Sequence, residues 1–143
     1  MTAFTPIGRV DSPFERPADV DHDLVDETEG TIVVDEEYAA GLDGLEDFSH
    51  IVILAHLDQI DDYHFRARPP HVEGVEVGVF ATRSPHRPNP IAQTVVELLE
   101  RDGNRLHVRG LDLADGTPVL DIKPYVPTVS EDEGLALGWL DER

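Results

Sequence analysis

Three prolines stand within six residues of one another, Pro85, Pro88 and Pro90, in the stretch "TRSPHRPNPIA" from Thr82 to Ala92. Each fixes φ, removes a backbone donor and pushes the residue before it, Ser84, Arg87 or Asn89, towards extended geometry. The stretch cannot be regular helix, and it reads as a stiff loop. It is also locally basic. The window from Val77 to Val96 contains no acidic residue, in a chain of 143 residues with 30 Asp and Glu, 11 Lys and Arg and a formal net charge of -19. Two readings stay open: a preorganised ligand clamp presenting Arg83, His86, Arg87 and Asn89, or a stiff surface turn whose arginines pair with the abundant carboxylates.

Around that loop the pattern is of short strands. "TIVV" (31–34) reads as a strand, and "DEEYAAGLDGLEDF" as a short helix capped by Asp35 and kept short by Gly41 and Gly44. "SHIVILAHLDQ" (49–59), apolar on both faces, reads as a central strand with His50 and His56 on one side. "DDYHFRARPPHVEG" reads as a loop and "VEVGVFA" (75–81) as another strand. "IAQTVVELLERDGNRLHVRGLDL" also fits a helical stripe, but the "RDGN" turn signal at 101–104 and the alternation after it favour a hairpin. The expected architecture is mostly β, a barrel or strongly curved sheet with short helices, in one domain spanning 1–143.

Composition narrows the setting. There is no cysteine, so disulfides, thiol nucleophiles and cysteine zinc sites are excluded. No charged start followed by an apolar stretch opens the chain, and no apolar run is long enough for a membrane helix, so a cytoplasmic protein without a membrane is expected. Ten arginines and one lysine, Lys123, against so many acids resemble a halophile's surface, which strong brine screens within a Debye length of about 3 Å. Under such screening local pockets, not the global field, decide what binds.

A second candidate segment is "LDLADGTPVLDIKPY" (111–125). It holds a DG turn, and alternation places Asp121, Lys123 and Tyr125 on one strand face with Leu120 and Ile122 on the other. This is either a functional face or a salt-bridged outer surface. Phosphate-loop, dinucleotide, metalloprotease and serine-hydrolase motifs are all absent. The seven histidines lack compact ligand spacing, so no metal is expected unless tertiary folding brings ligands together.

Taken together, "IGRVDSPF" (7–14), "GLEDFSHIVIL" (44–54), "RPPHVEGVEVGVFATRSP" (68–85), "GVFATRSPHRPNPIAQTVVELL" and "LDLADGTPVLDIKPYVP" resemble, in order, the signature blocks of the TsaA-like family, also called TrmO. The resemblance implies a single-sheeted β-barrel that forms homodimers and binds S-adenosylmethionine (SAM). It also implies methylation of N6 of threonylcarbamoyladenosine beside the anticodon of tRNA. On the same footing the cofactor pocket should include Ala55, His56, Arg83, Gln93 and the turn Asp115, Gly116, Thr117 and Pro118. Chemistry adds Arg87, Asn89 and Lys123 as substrate-binding candidates, facing the threonylcarbamoyl carboxylate or tRNA phosphate. It adds Tyr125, Asp121 and His86 as proton-handling candidates. The chain departs from the family's pattern where a "PRQ"-like segment is usual, reading "ERPADVDHDLVDE" instead, and it carries Ala92 where glycine is usual. A non-catalytic nucleotide-binding module and a small-molecule methyltransferase remain as alternative functions.

Overall fold

A computed structural model describes residues 2–69, 72–129 and 133–142. The strands are β1 (Gly8–Asp11), β2 (Glu29–Val34), β3 (His50–His56), β4 (Arg66–Ala67), β5 (Val77–Gly78), β6 (Ile91–Asp102), β7 (Arg105–Arg109) and β8 (Pro118–Pro124). Six of them close into an antiparallel barrel in the order β1-β2-β7-β6-β3-β8, while β4 and β5 pair with each other outside it. Closure gives each barrel strand two partners and leaves no open edge. The expected β-barrel with short helical segments is what the chain forms.

Alternation fills the interior. Along β3, Ile51, Ile53 and Ala55 are buried while His50 and His56 stand exposed on the opposite face. Val10, Ile32, Val34, Val96, Leu106, Val108 and Val119 complete the core from the other strands. The first strands also need room to approach one another: a Cβ on Gly8 would run into the carbonyl oxygen of Val33 and, at 2.9 Å, into Val34 Cα. Strand β1 gave no clear sequence signal because it is short and mixes glycine and charge, with Arg9 and Asp11 paired at 3.7 Å on its outer side.

The ambiguous stretch is the β6–β7 hairpin, turned at Gly103 with φ of 61°. Its helix-like stripe has a physical origin. A β-bulge between Leu98 and Glu100 inserts Leu99, so two adjacent leucines occupy one register step and alternation breaks. A second bulge, in the β3–β8 ladder, passes over Leu120: Val119 pairs with Ala55 and Asp121 with Leu54. Val119 and Ile122 therefore meet the core, and the expected sharing of a face by Leu120 and Ile122 is corrected. The strand expected over 75–81 is also shorter, because only Val77 and Gly78 find a partner strand. Val79–Ala81 turn into a 3-10 segment closed by Thr82 Oγ1 donating to Val79 O at 2.8 Å.

The expected helix after Asp35 is two 3-10 segments, Glu36–Leu42 and Leu45–Asp47, separated by Gly44 in the left-handed region. Asp35 sits at the N-cap, but its side chain makes no capping hydrogen bond. These segments close one end of the barrel. Leu42 is buried there, and the largely covered Arg101 reaches Asp43 at 3.0 Å and Glu46 at 3.4 Å. At the other end the loops 12–28, 57–90 and 110–117 gather, because the register places the ends of β1, β3 and β7 beside the starts of β2, β6 and β8. Among the described residues no helix is long and apolar enough to cross a membrane.

Three outcomes follow from this packing. Ile53→Ala empties a fully buried position and should cost about 2–5 kcal/mol in denaturant unfolding; a cost below about 1 kcal/mol would mean the barrel interior is not packed as described. Glu46 has its carboxyl held below the usual range, first by a backbone hydrogen bond within its own turn and then by Arg101. The stabilisation is present above the unfolded value of about 4.5 and lost as pH falls through the lower folded value. Thermal melts should thus show Glu46→Gln less stable than wild type at neutral pH, with the gap closing in acid. With 30 acids against 11 cations, raising KCl should raise the melting temperature through screening, and an unchanged one would mean that self-repulsion costs the fold little.

Candidate functional site

The proline-rich loop gets its shape from a chain of local hydrogen bonds. Ser84 N–H donates to Thr82 Oγ1 at 3.2 Å, His86 N–H to Ser84 Oγ at 3.2 Å, and Arg87 N–H to Pro85 O at 3.0 Å. Arg87 then folds back, its Nη1 donating to Thr82 O at 2.9 Å and Ser84 O at 3.0 Å. Prolines cannot donate, so the loop satisfies its carbonyls with a guanidinium and its amides with hydroxyls. Leu57 N–H donating to Pro90 O at 2.8 Å and His64 N–H to His86 O at 3.1 Å fasten the loop to the segment after β3. No cis peptide is involved among the described residues.

The DG turn is pinned with equal economy. Gly116 takes φ of 82°, a conformation that disfavours side chains, and the buried Thr117 hydroxyl donates to Ala114 O at 2.6 Å. Asp115 does not project freely, for its Oδ1 accepts from Ser12 N–H at 3.0 Å. Ser12 Oγ donates to Leu113 O at 2.7 Å, so the N-terminal loop is locked to this turn.

Between these two loops lies a cavity of about 470 Å³ at the open barrel rim, a size suited to a small-molecule ligand. Arg83, Arg87, Gln93, Asp112 and Thr117 stand on its wall, with Pro17, Val20 and His22 supplying the N-terminal side. Asp112 Oδ1 is buried and has no hydrogen-bond partner among the described residues. A buried carboxylate oxygen without a donor is costly, and this one belongs to a residue on the cavity wall. SAM carries an ammonium, a sulfonium, hydroxyls and an amino group as well as a carboxylate. The donor set here, two arginines and an orphaned carboxylate, fits such a zwitterionic molecule.

A second cavity of about 750 Å³ lies beside the first, and the two share His22 and the segment Thr82–Pro85. His64, Arg66, Arg68, His86 and Trp139 line this side cavity. Next to it His86 Nδ1 and Asp62 Oδ1 are 2.7 Å apart, and His64 Nε2 lies 3.7 Å from Asp62 Oδ2. These three side chains bring one ligand atom each within 4.8 Å of one another. The grouping is invisible in sequence spacing, since two loops create it.

The candidate residues are therefore spread over several places. Arg83, Arg87, Gln93 and Thr117 share the rim cavity, and His86 stands on the side cavity. Ala55 is fully buried in the core, His56 is exposed at the end of β3, and Asp115, Gly116 and Pro118 shape the turn without lining either cavity. Asn89 is exposed on the loop and donates nothing to the cavity walls. Asp121 and Lys123 face outwards and pair at 3.0 Å, Asp121 also accepting from Ile122 N–H at 2.9 Å, and Tyr125 follows just beyond the strand. Asp112, His22, Val20 and Pro17 were missed from the sequence. Asp112 had a signal, a carboxylate in an otherwise apolar run before the DG turn, whereas the N-terminal residues had none.

Comparison with known proteins places this arrangement. The chain is 43% identical over 144 residues to a probable S-adenosyl-L-methionine-binding protein of Pyrococcus abyssi, covering 99% of this chain and 78% of that protein. It is 44% identical over 96 residues to the tRNA (adenine(37)-N6)-methyltransferase of Mus musculus, covering 66% of this chain and 22% of that protein. The crystal structure of TrmO from Pseudomonas aeruginosa superposes with a TM-score of 0.74 at 35% identity, over 96% of this chain and 62% of that one. The chain thus spans less than two thirds of the solved TrmO chain and under a quarter of the mouse enzyme. The family profile for the tRNA-methyltransferase O N-terminal domain matches residues 9–131, a span that includes the barrel and both cavity-forming loops, and the chain belongs to that family.

Proposed function

We propose that this protein is a SAM-dependent methyltransferase that binds its cofactor in the rim cavity and methylates N6 of threonylcarbamoyladenosine in tRNA. The observation that carries the reading is the rim cavity itself, walled by a proline-stiffened loop and lined by Arg83, Arg87 and Asp112, one of whose carboxylate oxygens is buried without a partner among the described residues. The relatives' names, a SAM-binding protein and a tRNA adenine N6-methyltransferase, support the same chemistry. We place the protein in the cytoplasm, as a homodimer, with tRNA as its partner.

When bound, the cofactor supplies an electrophilic methyl group on a sulfonium. The work of the chain is then positioning. Arg83 reaches both cavities and suits the cofactor carboxylate through its forked donors. Asp112 suits a cationic or N–H donor group, and Thr117 and Gln93 bound the cavity at the ends of β8 and β6. Arg87 commits its Nη1 to two carbonyls of the loop, which stiffens the cavity wall, and its remaining donors are the ones a ligand can meet. Rigid loops of this kind hold reacting atoms close and aligned, which is where positional catalysis gets its rate. The N6 proton must also leave. Of His86, Asp121 and Tyr125, His86 stands on a cavity wall and is polarised by Asp62, so we assign it that role. Asp121, Lys123 and Tyr125 lie on the outer wall and reach a reacting nitrogen only in a site completed by a second subunit.

Calorimetry with SAM and transfer of labelled methyl to tRNA bearing threonylcarbamoyladenosine test the reading. Binding with transfer is expected; binding without transfer to any nucleic acid would favour a nucleotide-binding module. Transfer to a small acceptor alone would favour the second alternative. Asp112→Ala should weaken SAM binding about tenfold or more while leaving the ligand-free melting temperature unchanged or raised, because it removes an unsatisfied buried acceptor. Unchanged affinity would take Asp112 out of the site. Arg87→Ala should abolish binding and increase hydrogen exchange across 82–86, whereas Arg83→Ala should weaken binding and leave that exchange as in wild type.

A further inference from the structure

We infer that the side cavity is the subsite for the target nucleotide of the RNA, with Arg66 and Arg68 receiving an oxyanion that the nucleotide carries. The inference rests on the proposed tRNA reading and adds to it a location and a charge. Position is the first support. The side cavity shares His22, Thr82, Arg83, Ser84 and Pro85 with the rim cavity, so the two are separated by no more than these five residues. Acceptor and methyl donor must lie against each other for transfer, and this is the place where two ligands can.

The lining is the second support. At about 750 Å³ the cavity has room for a nucleoside with a substituent, and its walls include Val79, Ala67, Pro69, Pro85 and the Trp139 indole. Trp139 Nε1 donates to Ala81 O at 2.7 Å, which anchors the indole at the cavity wall. An anchored indole beside apolar walls is the kind of surface on which a base stacks, worth about 1–3 kcal/mol per base.

Charge is the third. In a chain of net charge -19 with only ten arginines and one lysine, Arg66, Arg68 and Arg83 converge on this one cavity together with His22, His64 and His86. Among the described lining residues a single carboxylate, Glu76, faces them from the cavity wall, and Asp62 pairs with the two histidines His64 and His86. The Arg66 and Arg68 side chains both point at Glu76, at 3.5 Å and 3.6 Å, and both are well exposed. Pairs this long and this solvated contribute little to stability. Arg66 also donates from Nη2 to Glu76 O at 3.3 Å, which leaves its Nη1 and the Nε and Nη1 of Arg68 for an incoming oxyanion at the position Glu76 marks. That oxyanion is either the threonylcarbamoyl carboxylate or a phosphate of the anticodon loop, and the geometry serves both alike.

The test uses a synthetic anticodon stem-loop carrying threonylcarbamoyladenosine, a second one with that carboxylate converted to an amide, and fixed salt. RNA binding is read by fluorescence anisotropy in the presence of S-adenosylhomocysteine, KM and kcat by methyl transfer, and SAM affinity by calorimetry. The doubly substituted Arg66→Ala, Arg68→Ala protein should bind the stem-loop about tenfold or more weakly and show KM raised to match, with kcat and SAM affinity unchanged. Arg66→Lys with Arg68→Lys should recover part of the loss, and circular dichroism should show all variants folded. If the carboxylate is the anion, the amide stem-loop binds wild type weakly and the arginine substitutions weaken it no further. If a phosphate is the anion, both stem-loops lose equally. Unchanged RNA binding in the double variant, or an equal loss of SAM affinity, overturns the inference. A wild-type protein that shows arginine-dependent RNA binding yet transfers no methyl group removes the proposed function and leaves the subsite standing; one that binds no stem-loop removes both.

Discussion

The shape of the candidate site depends on one shared hydrogen-bond donor. Arg87 Nη1 sits between the carbonyl oxygens of Thr82 and Ser84 and holds together a segment that proline has stripped of amide donors. Three prolines limit how the loop can bend, but limits alone do not choose one conformation. The guanidinium and the Thr82 and Ser84 hydroxyls make that choice by satisfying the polar groups that remain. Both cavities take the segment Thr82–Pro85 as part of their wall, so the loop sets the geometry of each.

Behind the loop the barrel divides its labour between its ends. One end is sealed by Leu42 and by the ties from Arg101 to Asp43, Glu46 and the carbonyl of Ala39. The other end stays open because its loops carry prolines, glycines and polar side chains that bond to one another instead of filling the interior. The cross-ties from Ser12 to Asp115 and Leu113 make the N-terminal loop a fixed part of this rim. An acidic surface coexists with the site because the acid-free window coincides with the loop and the start of β6.

Much of the fold was legible in sequence because burial imposes a period of two on strands. Ile51, Ile53 and Ala55 alternate cleanly, and the hairpin turn at Gly103 announces itself. Legibility failed where the backbone leaves that period. The bulges at Leu99 and Leu120 each insert a residue, and no local pattern distinguishes an inserted leucine from a helical stripe. The site was half legible. Arg83 and the DG turn stood out by chemistry, and Gln93 by resemblance. The clustering of His64 with His86, and of Pro17 and His22 with the rim, arises from loops meeting across the fold and leaves no trace in spacing. The same holds for Asp115, whose conspicuous carboxylate is consumed by Ser12.

That the rim cavity behind the proline loop is the cofactor site is tested most directly by amide hydrogen exchange with and without SAM. Protection should concentrate in residues 82–93 and 112–117 and in the N-terminal segment around Val20 and His22. Protection confined to the outer wall around Asp121, Lys123 and Tyr125, with the rim unchanged, would contradict it.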